Sequence, residues 1–326
     1  MSEEVLPQGA PTPEQIVAWM DSLSNWGRWG DDDTLGTLNL ITPEKRLAAA
    51  GLTTEGRVVS CAWDIRARDM PGAVTPPQRF MLGTGLDLGT GPDSGRRGQM
   101  DEGHAGAAME YIGMVFHGLA VTHIDALSHV FWDAQMYNGR PANLVTDWLG
   151  ATTMDVRDLR DGIVTRGVLL DVARARGRNF EPSEPVMPND LEAAEEMAGL
   201  KVASGDVLLL RTGDGVRRTT DWKNYDPHLQ PGFQAACLPW LHERGVAAIG
   251  SDIAQDVRPS GYGGRLTMPI HTVGIVAMGL WLIDNCNLEQ LGETCAELGR
   301  WEFQFVLGPL RMEGGTGSPA NPLALF

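Results

Sequence analysis

The chain has 326 residues, of which 43% are hydrophobic and 21% charged, the balance of a globular protein rather than a disordered one. Its 42 acidic and 26 basic residues leave a net charge of −16, a field that repels nucleic acid. No run approaches the ~18 apolar residues of a membrane helix, the N-terminus lacks the basic and apolar regions of a signal peptide, and the four scattered cysteines form no Cys-x-x-Cys pair. A soluble, cytoplasmic protein with neither nucleic acid nor membrane as partner is expected.

In chain order, residues 1–24 read as an N-terminal extension carrying one amphipathic helix, with Thr12 as its N-cap, Pro13 in its first turn and its end near Leu23. The stretch Asn25 to Asp33 has no period. Trp26 and Trp29 read as packing this loop onto a core. Asp31 to Asp33 read as an N-cap and solvated turn, because a calcium loop needs spaced oxygens. Thr42-Pro-Glu-Lys opens a second helix through about Ala50, and Arg57 to Trp63 has strand composition.

Residues 69–108 are rich in glycine and proline and hold no period. The run Gly83-Thr-Gly-Leu-Asp-Leu-Gly89 is no dinucleotide fingerprint, since the adjoining Thr-Gly-Pro-Asp-Ser-Gly cannot start a helix. So long a loop inside a compact chain reads as a lid. Further on, Gly167–Asp171, Asp206–Arg211, Val246–Gly250 and Phe303–Leu307 are continuous apolar runs, the signature of strands covered on both faces. Helices are expected at about 189–200, 232–244 and 271–283. Strands alternating with helices predict an α/β core, and no repeat or composition break marks a second domain.

Chemistry concentrates in one place. Three of the seven histidines fall in Phe116-His-Gly-Leu-Ala-Val-Thr-His-Ile-Asp-Ala-Leu-Ser-His129. If Val121 to Asp125 is a strand, His123 and Asp125 share a face with Cβ atoms ~7 Å apart, close enough to hold one metal ion. His129 lies where a turn returns it over the same point. The competing reading is a His–Asp pair satisfying itself in a core. Pro269-Ile-His271 supplies a distant imidazole, readable also as a polar helix end, and Gly250-Ser-Asp252 lies just past a strand, where α/β folds place site residues. His104, His228 and His242 read as structural or exposed.

The segment Leu119-Ala-Val-Thr-His-Ile-Asp-Ala-Leu-Ser-His129 resembles the His-x-Gly-Thr-His-x-Asp-x-Pro-x-His motif of the cyclase/kynurenine-formamidase-like family of metal-dependent hydrolases. Gly250-Ser-Asp252, Pro269-Ile-His271 and the opening Trp26 to Asn39 are similar to further landmarks of its longer members. The resemblance implies one domain over residues 25–312, with a mixed, partly barrel-like sheet flanked by helices (swivelling β/β/α-like) and long glycine-rich loops. It implies a divalent metal, Zn or Mn, held by His123, Asp125, His271 and Asp284, with Asp125 able to bridge two ions and His129 moving protons. It also implies a homo-oligomer, on which the tail 313–326, flexible and then apolar, is expected to dock.

Two positions depart from the family pattern. Leu119 stands where the motif has its first histidine, and the nearest substitute, His117, would lie ~20 Å from His123 on a regular strand unless Gly118 makes a bulge. Asp284 matches the family's late glutamate one residue out of phase and one methylene shorter. The chemistry implied is hydrolysis of an amide, formamide, cyclic amide or lactone in a small-molecule substrate by metal-activated water. The alternatives are a degenerate member that only binds small molecules, or a metal-dependent lyase or isomerase. Trp63, Phe80, Trp132 and Tyr137 read either as an aromatic pocket or as ordinary core.

Overall fold

The computed structural model describes residues 6–84 and 107–326, apart from positions 68, 69, 71, 74 and 222. Its apolar runs assemble into a nine-stranded mixed sheet made of β1 (Val58–Ser60), β2 (His123–Asp125), β3 (Ile163–Asp171), β4 (Val207–Arg211), β5 (Ala248–Ser251), β6 (Trp281–Asp284), β7 (Glu302–Leu307), β8 (Gly317–Pro319) and β9 (Leu323–Leu325). Their order across the sheet is β1-β9-β7-β3-β4-β5-β6-β2-β8. Neighbours from β3 to β6 run parallel. The pairings on either side of that block are antiparallel. The sheet curls into a half-barrel.

The parallel block follows from composition. Every residue of Val207–Arg211 and of Ala248–Ser251 is buried, so both faces of these strands are covered, as crossover connections require. By contrast β7 alternates half-buried and buried positions, the period-2 pattern of a strand with one wet face. Helices at Pro188–Ala198, Cys237–Arg244 and Glu289–Leu298 stand at three of the crossovers. The N-terminal helix Pro13–Ser22 starts where predicted, with a reciprocal Thr12–Gln15 capping box.

The loop at 25–33 does pack onto the core. Trp26 Nε1 donates to Val276 O at 2.6 Å and Asn25 Nδ2 to Met278 O at 2.8 Å. Asp33 accepts from Gly36 N at 2.9 Å, the turn-capping role expected of the aspartate run. Tyr137 belongs to this framework rather than to an aromatic pocket, and Trp132 is partly buried against the same core. The Tyr137 hydroxyl donates to Asp33 Oδ2 at 3.1 Å, and Trp132 lies under the Arg265 guanidinium.

Three expectations are corrected. The helix expected over 271–283 is only Pro269–His271 followed by a π-helix at Thr272–Met278. Gly279, at φ +66°, ends it in the left-handed conformation, and Trp281 to Asp284 become strand β6. Next, Gln78–Thr84 and Ala108–Gly113 pair as an antiparallel ribbon, so the 69–108 stretch is not loop throughout. Residues 85–106, which hold much of the expected lid, most of the glycine run ending at Gly89, and His104, lie outside the described residues.

Finally, the tail expected to be flexible and then apolar is paired into the sheet of its own chain. Strand β8 pairs with β2, β9 lies between β1 and β7, and Phe326 is fully buried against Phe303 in the same chain. Its apolar residues complete the sheet of their own molecule. Among the described residues no helix is long and apolar enough to cross a membrane.

Candidate metal centre

Strand β2 is three residues long and fully buried, and it is held on both sides. Asp284 of β6 is in register with His123, and Leu282 with Asp125. On the other side Gly317 of β8 opposes Asp125 and Pro319 opposes His123. Alternation along β2 sends His123 and Asp125 to one face. The one-residue offset of Asp284 in the sequence has a structural reason: it sits on a strand, and its place is fixed by cross-strand pairing rather than by helical phase.

His271 comes in from the short helix after the 259–264 loop. Its Nε2 lies 3.6 Å from Asp125 Oδ2 and 3.4 Å from Asp284 Oδ2. His123 Nε2 is 3.4 Å from Asp125 Oδ1 and 4.0 Å from Asp284 Oδ2. All of these groups are buried. The structure therefore brings His123, Asp125, His271 and Asp284 together, from segments far apart in the chain.

His117 joins them, contrary to the distance expected from a regular strand. Strand β2 begins only at His123, and residues 117–122 form a bent loop. Gly118 adopts φ +147°, and a Cβ there would meet nothing within 4 Å, so the backbone angle rather than crowding calls for glycine. Gly72 lets a neighbouring turn approach this loop, since a Cβ on it would fall 2.6 Å from Leu119 O. Asn285, itself at φ +55°, donates from Nδ2 to Gly118 O at 2.8 Å. The result places His117 Nδ1 2.9 Å from Asp125 Oδ1.

His129 stacks on His117 with ring centroids 3.8 Å apart and planes 2° apart. Its Nε2 is 4.0 Å from Asp125 Oδ1, and its side chain remains 28% exposed, unlike the imidazoles of His123 and His271. It stands at the open side of the cluster.

Outer contacts set the face each ring presents. Val121 O lies 2.8 Å from His123 Nδ1, which fixes Nδ1–H as donor and turns the Nε2 lone pair inward. Asp256 Oδ2 lies 2.6 Å from His271 Nδ1, and the other oxygen of that carboxylate, Oδ1, accepts from Ile270 N at 2.8 Å. Thr316 Oγ1 is 3.0 Å from His117 Nε2, leaving Nδ1 to face Asp125. Gln255 Nε2 donates to Asp284 Oδ1 at 3.0 Å, so Oδ2 is the oxygen left for the cluster.

Asp256, Gln255, Thr316 and Asn285 escape a reading of the sequence, since they obey no motif. Asp252, a candidate by its place past a strand, goes elsewhere: it accepts from Thr212 N, Thr212 Oγ1 and Gly213 N, and burial raises its pKa to about 7. His228 is exposed and His242 half-buried, apart from the cluster as expected.

The electrostatics are those of a dense, mutually stabilised group. Burial opposes charge on His123, but Asp125 and Asp284 outweigh it and raise its pKa. His271 is likewise disfavoured as a cation by burial, yet Asp284 and Asp256 push its pKa well up. Burial works against the Asp125 carboxylate too, and the surrounding imidazoles hold it well below the usual range. Burial lowers His129 to about 4, and the Asp125 charge only partly offsets this. Two triads emerge, His117–His123–Asp125 and Asp125–His271–Asp284, with the facing atoms of each within 4.8 Å of one another. They share Asp125.

The fold is that of one enzyme family. The cyclase family model matches residues 53–255, and the chain belongs to that family. A solved structure described as a novel cyclase is 31% identical, with a TM-score of 0.81 over 94% of this chain and 99% of its own. Isatin hydrolase A from Labrenzia aggregata, solved with benzyl benzoate, is 20% identical, with a TM-score of 0.57 over 87% of this chain and 98% of its own. Isatin hydrolase A from Ralstonia solanacearum is 21% identical, with the same TM-score of 0.57 over 87% and 97%. These last two share the fold. No curated protein matches the chain.

Proposed function

We propose that this chain is a metal-dependent hydrolase that cleaves an amide, formamide, cyclic amide or lactone bond in a small-molecule substrate. The observation that carries the reading is Asp125. Both of its carboxylate oxygens are buried and accept no well-aligned hydrogen bond, and what they face are imidazole nitrogens, His117 Nδ1 the nearest at 2.9 Å. Leaving a buried carboxylate without partners is costly unless a cation takes their place. The donor set fits such a cation: three inward-turned imidazole nitrogens and two carboxylates, the mixed N/O ligation that suits Zn or Mn.

His117, His123 and Asp125 would hold one divalent ion, and Asp125, His271 and Asp284 a second. When bound, such an ion lowers the pKa of coordinated water toward ~7 and polarises a carbonyl. The protein's own groups do the rest. Asp256, Val121 O and Thr316 fix the three rings, so the ligand atoms need no reorientation. His129, neutral at pH 7 by its depressed pKa, accepts a proton at Nε2 from the attacking water. The same low pKa makes the protonated ring a strong acid, ready to pass that proton to the leaving nitrogen or oxygen.

The test pairs elemental analysis with a substrate panel of N-formyl aromatics, cyclic amides and lactones. Metal retained by the wild type, lost in His123→Ala, with products heavier than substrate by one water, supports the reading. A metal-free chain that turns over none of the panel after Zn or Mn is added, or products of unchanged mass, overturns it.

A further inference from the structure

The loop that carries His117 and His123 is held by Arg218, a buried cation that pairs with no carboxylate among the described residues. Arg218 is only 5% exposed, and its Nη2 donates to Ala120 O at 2.6 Å. Among the described residues no carboxylate oxygen comes within 4.0 Å of its guanidinium. The nearest candidate, Asp214, is already engaged by Arg217 at 2.6 Å and by the Tyr225 hydroxyl at 2.9 Å. Arg211, the other deeply buried arginine, shows the usual solution: it pairs with Asp171 at 2.9 Å and Glu289 at 2.6 Å. Burial accordingly pushes Arg218 down, Tyr225 and the Asp214 charge offset this only in part and Arg66 adds a like charge, whereas the carboxylates push Arg211 up.

Beneath Arg218 lies Trp63, its ring centroid 4.8 Å from the guanidinium carbon. The Trp63 backbone N–H donates to Thr122 Oγ1 at 3.0 Å, fastening it to the same loop. Its indole Nε1 is buried and has no partner. Guanidinium and indole are both donors only. A buried cation whose one acceptor is Ala120 O and an orphaned indole N–H side by side, with no further acceptor among the described residues, are costly to the fold unless one arrives from outside. Ala120 is three residues from His123, at most ~10 Å of chain.

Resting on the hydrolase reading, we propose that Arg218 and Trp63 form an oxyanion subsite, and that the substrate carries an anionic group, a carboxylate matching the planar guanidinium fork best, beside the bond that is cleaved.

The test is calorimetric titration of the metal-loaded full chain with benzenesulfonate, an anion that ligates metals weakly, and with methyl phenyl sulfone, its neutral counterpart. The wild type is expected to bind the sulfonate at least tenfold more tightly. Arg218→Met should abolish that preference at unchanged metal content, and Trp63→Phe should weaken the sulfonate severalfold while leaving the sulfone alone. Equal affinity of the wild type for both probes, or a preference that survives in folded Arg218→Met, overturns the proposal. If Arg218→Met does not fold, Trp63→Phe decides, and unchanged sulfonate binding there overturns it. Sulfonate preference without hydrolysis of any panel substrate sinks the hydrolase reading alone; hydrolysis without the preference sinks only the subsite.

Discussion

The imidazoles of His117 and His129 lie face to face, 3.8 Å apart and within 2° of parallel. Two rings so close cannot both carry charge at low cost, and His117 is one of the groups that hold His129 down. The stack thus ties a ring directed at Asp125 to the ring at the open side of the site. His129→Ala is expected to keep its full metal content and lose ~10²–10⁴-fold in turnover, the range typical of a general acid–base residue. Rates near those of the wild type would remove His129 from proton transfer.

The substitution of one ligand position by another is testable directly. His117→Ala should lower metal stoichiometry or affinity, whereas Leu119→Ala should change neither, because Nδ1 of His117 is the atom beside Asp125. Gly118→Ala should behave like His117→Ala, since a β-carbon strains the backbone angle that delivers the ring. Equal metal binding in all three, measured by competition with a chromogenic chelator, would place the ion elsewhere.

The pH dependence of stability has a definite sign. His123 and His271 have folded-state pKa values raised above the ordinary ~6.5, so in metal-free protein they add stability below that pH and lose it as pH rises through their folded values. Asp125, held low, adds stability above its ordinary ~3.9 and loses it as pH falls through its folded value. By these three groups, metal-free protein should therefore be most stable between about pH 4 and about pH 6.5, losing stability above that as pH rises through the raised histidine values. Metal needs neutral imidazoles, so the Tm gained on adding Zn or Mn should grow from pH 6 to pH 8. Scanning calorimetry with and without chelator measures this, and a gain that shrinks with pH would contradict ligation by these two rings.

Asp256→Asn keeps the size of the side chain but removes the charge facing His271 Nδ1, at 2.6 Å. Metal affinity should fall by about 10–100-fold, the usual effect of losing such an outer partner. An unchanged affinity would mean that Asp256 serves only the backbone of residues 270 and 271.

The C-terminal strands make a prediction about stability rather than assembly. Phe326 is fully buried beside Phe303. Phe326→Ala should cost about 3–5 kcal/mol in denaturant unfolding, the range for a large-to-small core change, without altering the size of the particle in solution. A shift in oligomeric size with little loss of stability would instead point to an intermolecular role.

The sequence could be read furthest where side chains follow a local rule. The apolar runs at β3, β4, β5 and β7 and the capped helix at 13–22 appear where their periodicity puts them. His123 and Asp125 share a face, as their spacing implied, and His271 joins them, as the family resemblance implied. What local rules missed depends on non-local pairing. Asp284 belongs to a strand because Gly279 ends the helix, a choice that an apolar run does not reveal. His117 reaches the cluster because Gly118 and Asn285 shape a loop that a strand calculation assumes straight. Asp256 and Thr316 meet their histidines from remote segments, and nothing in their own neighbourhoods announces it.

Strand β2, which presents His123 and Asp125, is flanked on one side by β8. On a ribosome adding about 5–20 residues per second, the roughly 190 residues separating these strands take about 10–40 s to emerge. Throughout that interval one edge of β2 has no partner, and the nascent polypeptide cannot complete the ladder that frames its reactive cluster. An ion captured by these side chains before synthesis has passed Pro319 would meet an unfinished cage.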